Sequence, residues 1–113
     1  MITNRDAEKG EIVEIAKVTM TLPIEERNFD LGAMYITPGA WATLDREDLI
    51  IGLGKHLRGD WGDVCREDWL SNEVALTQSF RLLSSYKDRN GAKFWIITEA
   101  DRSMTTVLLP EEY

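Results

Sequence analysis

The chain has 113 residues, 13 Lys and Arg against 20 Asp and Glu, and a formal charge of −7 at pH 7. At 43% hydrophobic and 29% charged it is composed as one globular domain, too apolar for a disordered acidic tail. Its acidity argues against direct nucleic-acid binding, which needs a basic stripe, and its single Cys excludes an internal disulfide framework and a multi-Cys zinc site.

Residues 1–10 are polar and mixed in charge, so no signal peptide is expected, and no apolar run approaches the ~20 residues that span a bilayer. With the lone thiol of Cys65 this points to a reducing compartment and a cytoplasmic protein without membrane contact. One domain is expected over 1–113. Residues 1–30 are either partly flexible or an added strand; over 11–22 the β-branched content favours a strand in the later half, ended by Pro23 and a solvated loop over 25–28.

Residues 33–37 read as a short strand closed by Thr37-Pro38-Gly39, with Thr37 placed to cap a short helix over 40–43. Asp45 starts the clearest helix: it caps the first turn, and Glu47 and Asp48 add favourable charge there. Leu49, Ile50, Leu53 and Leu57 form its apolar stripe, and Gly59 suits the left-handed stop. After the turn Gly59-Asp60-Trp61-Gly62-Asp63, a second helix is expected over 65–78, with Trp69, Leu70, Val74 and Leu76 or Thr77 on its buried side. From Phe80 the period changes to two. Strands over 80–86, 93–99 and 104–109, joined by the Asn90-Gly91 hairpin and a polar turn at 100–103, predict a three- to four-stranded antiparallel meander. The fold class is α+β, two or three helices on one face of that sheet.

His56, the only histidine, lies near Asp60, Asp63 and Cys65 in sequence. A His with two carboxylates suits a metal, and a Cys with a His suits a nucleophile pair, but Asp is common in Gly-rich turns for its backbone hydrogen bonds alone, and a capping or packing His is the simpler reading. No metal site and no cofactor are expected. Of the four tryptophans, Trp95 and Trp69 read as core. Trp61, between glycines, is either a plug at the end of the sheet or an exposed binding anchor. Arg102, with Thr98, Thr105 and Thr106 nearby, suits either a small anionic ligand or a hairpin salt bridge to Glu99 or Asp101. Over 45–73 eight acidic residues face four basic ones. Such a helical surface attracts a basic partner, although a plain solvated surface accounts for it too.

Several strings carry a resemblance: Ile36-Thr37-Pro38-Gly39-Ala40, His56, Gly59-Asp60-Trp61-Gly62, Asp68, Asn72-Glu73, Leu83-Ser84 and Tyr86, then residues 95–103 and 105–113. They resemble a family of small bacterial proteins described as plasmid-related or hypothetical, carried on plasmids, integrative elements and prophages. The likeness covers residues 36–113. It implies a mobile-element setting and transfers no catalytic residue; the methyltransferase label that some members bear is not supported, because the chain lacks a cofactor-binding glycine motif.

Three readings follow. The first is a non-enzymatic interaction protein, such as an anti-CRISPR or anti-restriction inhibitor, that meets a host or defence-system protein, itself a nucleic-acid binder or not, through Glu47, Asp48, Asp60, Trp61, Asp63 and Glu67. The second is a small hydrolase or nuclease built on His56, Asp60, Asp63 and Arg102, which requires these side chains to converge on one cleft. The third is a structural homodimer joined through a free sheet edge.

Overall fold

The computed structural model describes residues 13–14 and 28–113. Its elements are β1 (Val13–Glu14), β2 (Ala33–Ile36), α1 (Pro38–Thr43), α2 (Arg46–Leu57), α3 (Arg66–Gln78), β3 (Leu82–Lys87), β4 (Lys93–Thr98) and β5 (Met104–Leu108), followed by a 3-10 turn at Pro110–Glu112. The strand expected in the later half of residues 11–22 and most of the loop expected over 25–28 lie outside the described residues.

Helix α2 forms where its cap and stripe require. The Asp45 carboxylate accepts the Asp48 amide at 3.1 Å, and the carboxylates of Glu47 and Asp48 occupy the electropositive first turn. Leu49 and Leu53 then pack on Phe94, Ile96 and Val107 of the sheet. Thr37 caps α1 through the Ala40 amide at 3.2 Å, with Pro38 at the first helical position. Glu112 ties the last turn of the chain to that cap, accepting from Thr37 Oγ1 at 2.5 Å and from the Gly39 amide at 3.2 Å.

Strands β3, β4 and β5 form the expected antiparallel meander. In the first hairpin only Gly91 takes a positive φ, of 84°. The turn is held instead by Asp88, which accepts the amides of Asn90 and Ala92 at 2.9 Å each and that of Asp45 at 3.0 Å, fastening the hairpin to the start of α2. The sheet as a whole is mixed, which corrects the expectation of a purely antiparallel one. Strand β2 runs parallel to β5, with Met34 opposite Thr105 and Ile36 opposite Val107, and the order is β1-β2-β5-β4-β3. Three helices and two strands separate β2 from β5 in sequence, ample length for the crossover that parallel pairing demands.

The outer edge of β3 is closed by side chain and loop. Asn72 of α3 mimics a neighbouring strand: its amide donates to the Leu83 carbonyl at 2.7 Å and its oxygen accepts the Leu83 amide at 3.1 Å. Ser85 is paired next, its amide to the Trp61 carbonyl at 3.1 Å and its carbonyl to the Asp63 amide at 2.7 Å. Gly62 makes that approach possible, because a Cβ there would sit 2.1 Å from the Ser85 oxygen and its φ is +76°. The outward backbone groups of Leu83 and Ser85 are thus already paired within the molecule.

Helix α3 is rotated relative to expectation. Asn72 and Ala75 are buried and Trp69 and Leu76 pack inward, whereas Leu70 and Val74, assigned to the core by spacing, are 51% and 52% exposed. The demand of the β3 edge for a hydrogen-bonding partner turns Asn72 inward and so carries Leu70 and Val74 out. Replacing Asn72 by Ala should lower stability by about 1–3 kcal/mol, the cost of leaving the Leu83 amide and carbonyl without partners. Urea unfolding measures this, and an unchanged midpoint would show that the clamp is dispensable.

Candidate functional site

His56 sits in the last turn of α2 and is wholly buried. Its Nδ1 lies 2.5 Å from Ser84 Oγ and its Nε2 2.9 Å from Thr98 Oγ1. Thr98 Oγ1 is 2.7 Å from Thr105 Oγ1, which donates to the Leu31 carbonyl at 2.7 Å. That last bond sets the direction of every other. Thr105 spends its proton on Leu31, so Thr98 donates to Thr105; Nε2–H then donates to Thr98, and Nδ1 accepts from Ser84. The imidazole is a neutral Nε2–H tautomer with both nitrogens engaged. The rings of Phe29 and Trp61 stand edge-on to it, with centroids 5.2 and 5.6 Å away. Desolvation, with a smaller contribution from the positive charge of Arg102, pushes its pKa down from 6.5 to about 3.

The cleft required of a hydrolase or nuclease does not assemble. His56 and Arg102 both lie against the Phe29 ring, but the imidazole has no exposed surface, and Asp60 and Asp63 point to solvent. The Arg102 guanidinium is committed to main-chain carbonyls: Nη1 donates to Phe80 at 2.6 Å and Glu99 at 3.2 Å, and Nη2 to Ala75 at 2.7 Å. It binds the β4–β5 turn to the end of α3, which replaces both the anion grip and the hairpin salt bridge. Thr98 and Thr105, expected beside it, belong to the His56 chain. Among the described residues no group of three or more His, Cys, Asp or Glu side chains is placed to hold a metal ion.

The six residues expected to meet a partner separate into two groups. Trp61 is fully buried, stacked near Phe29 and donating its indole N–H to Glu73 at 2.8 Å, so it is the plug and not a surface anchor. The acids at the start of α2 share one cation within the molecule: Arg89 reaches Glu47 at 2.6 Å, Asp48 at 2.9 Å and Asp45 at 3.3 Å, and its single positive charge offsets part of theirs. Arg89 lowers the Asp48 pKa, chiefly through hydrogen bonds. Asp60, Asp63 and Glu67 remain exposed, and no ion pair among the described residues involves them. Asp60 does use one oxygen on the Gly62 amide at 3.2 Å.

Sequence reasoning missed an apolar surface beside these acids. Leu70, Ser71, Val74 and Phe80 line a shallow concavity of about 320 Å³, and the Phe80 side chain, expected in a strand, is 58% exposed. The available signal was angular: at 100° per residue Leu70 and Val74 lie nearly opposite Asn72 and Leu76, so one helix carried two apolar faces. A second groove of about 250 Å³ runs between α2 and the β3–β4 hairpin, with Ile51, Lys55 and Lys87 along it.

The state of His56 has a measurable consequence. The folded chain stays neutral there while the unfolded chain takes up a proton below its ordinary value of 6.5, so stability is full above that pH and falls as pH drops toward about 3. Between pH 7 and 5 the loss should be about 2 kcal/mol, before the carboxylates of Asp48, Asp88 and Asp101, all held below the usual carboxylate range, begin to matter. Urea unfolding at the two pH values reads it, and nitrogen NMR of the sole histidine should show an unprotonated Nδ1 throughout; an imidazolium at pH 5 would refute the assignment. No family model, curated protein or solved structure matches the chain.

Proposed function

We propose that this chain is a non-enzymatic protein–protein interaction protein that binds a basic surface of a host or defence-system protein. In the mobile-element setting that the family resemblance implies, it is a counter-defence inhibitor of the anti-CRISPR or anti-restriction kind acting in the cytoplasm. The observation that supports this reading is the contrast between buried and exposed polar groups. The histidine and its serine partner, His56 and Ser84, are sealed and mutually satisfied, while Asp60, Asp63 and Glu67 stand in solvent without ion pairs among the described residues. Long-range attraction from a chain of charge −7 speeds encounter with a cationic, nucleic-acid-handling protein, and the acids near α3 fix where it lands. Among the described residues no helix is long and apolar enough to cross a membrane.

Plasmid interference tests the proposal. Cells carrying an active CRISPR or restriction system receive a targeted plasmid with or without the chain expressed. Protection of at least tenfold against one system is expected, together with its loss when Asp63→Lys and Glu67→Lys are combined; both positions are exposed, and a thermal melt confirms that the variant is folded. Absence of protection against every system, or full protection by the double charge reversal, would overturn the reading.

A further inference from the structure

We infer that the outward face of α3 is the seat for a basic amphipathic helix of the partner, which inserts a large apolar side chain between Leu70, Val74 and Phe80 and sets its cations against Glu67 and Asp63. This rests on the reading of the chain as a protein-binding protein and names the element it grips.

Four observations carry it. Leu70 and Val74 are one helical turn apart on the same stripe as Glu67, so acid and apolar positions follow one another along a single face. Both are half exposed in a helix whose inward contacts are made by Asn72, Ala75, Trp69 and Leu76, so among the described residues this second apolar face is left uncovered. With Ser71 and Phe80 they line a shallow concavity of about 320 Å³, open to an apolar side chain from outside. Finally, the backbone that carries the exposed Phe80 is held in place. Ser79 ends α3 in the left-handed region at φ 58°, unusual for a residue with a Cβ, and Arg102 binds the Phe80 carbonyl at 2.6 Å. A fixed backbone beneath the aromatic reduces the ordering that binding would otherwise require.

Charge selects the partner. Glu67 stands on the N-terminal turn of this face and Asp63 in the loop just before the helix, with Arg66 the cation on that turn, and the whole chain is strongly negative. A second copy would bring the same acids and another −7, whereas a segment with Lys or Arg around its apolar anchors meets both features at once. Helix in groove is the recognition mode that a short, half-exposed apolar stripe supports.

The test uses two labelled synthetic helices with identical leucine spacing, one filled with lysine and one with glutamate, titrated against the whole chain by fluorescence anisotropy and nitrogen–proton NMR. The lysine peptide should bind saturably, with shifts confined to residues 63–80, and the glutamate peptide at least tenfold more weakly. Leu70→Asp separates the two contributions, because it adds charge of the attracting sign while removing the apolar contact: binding should fall at least tenfold, with thermal stability unchanged. Tighter binding by that variant would reduce the effect to bulk charge, equal binding of both peptides would remove the acidic selection, and a dimer in sedimentation that Leu70→Asp dissolves would make a second copy the occupant; each overturns the inference. Peptide binding that persists when plasmid protection is absent would leave this seat standing and remove the counter-defence reading alone.

Discussion

A neutral imidazole sealed from water is tolerable only if both of its nitrogens find partners, since each buried polar atom left alone costs about 1–3 kcal/mol. His56 meets that demand through four other segments: Ser84 of β3, Thr98 of β4, Thr105 of β5 and the Leu31 carbonyl ahead of β2. One hydrogen-bond chain therefore crosses the sheet and fixes the end of α2 against it. With that end fixed, residues 59–63 must leave α2 along the β3 edge, where Trp61 fills the space beside His56 and Asp63 pairs with Ser85. Helix α3 follows from there, and the rotation imposed by Asn72 decides which of its side chains meet solvent. The candidate interface is in this sense a consequence of how a polar core was satisfied.

The same constraint explains the lack of chemistry at the most suggestive pair in the chain. A Ser beside a His at 2.5 Å has the outline of a nucleophile and its base. Here the proton on Ser84 is already directed at Nδ1, and the opposite nitrogen gives its own proton away to a hydroxyl rather than to a carboxylate. No acid stands behind the imidazole to stabilise a positive charge, and burial drives the pKa well below neutrality. Ser84 and Thr98 have no exposed surface either. The group works as a hydrogen-bonded core element.

Local signals in the sequence were reliable wherever a single residue acts on its own neighbours. Asp45 and Thr37 cap the helices their positions promised, and Leu49, Leu53 and Leu57 are buried as their spacing required. What escaped was set by partners far away in the chain. The parallel pairing of β2 with β5 joins residues about seventy positions apart, and nothing near residues 33–36 encodes it. Arg89, beside the Asn90-Gly91 turn, gathers three carboxylates from the start of α2 and offsets part of the acidic surface that composition had suggested. Trp61 was ambiguous because its glycine neighbours mark a turn without saying which way the indole faces. For His56 a clue did exist: Ser84, Thr98 and Thr105 are polar residues at inward positions of otherwise apolar strands, and such positions need a polar partner.

A helix that only had to cover the β3 edge would need one apolar side, and Trp69, Ala75 and Leu76 supply it. Leu70, Val74 and Phe80 add nothing to that core, and exposed apolar groups raise the risk of aggregation. Their cost to a small acidic domain is offset only if they are covered by something outside the described fold. Arg89 offsets part of the charge of Asp45, Glu47 and Asp48, whereas Asp60, Asp63 and Glu67, which make no ion pair among the described residues, lie just before α3 or in its first turn. Charge for long-range attraction and apolar surface for short-range grip thus coincide on one element, the distribution expected of a face that first draws in a cationic partner and then holds it.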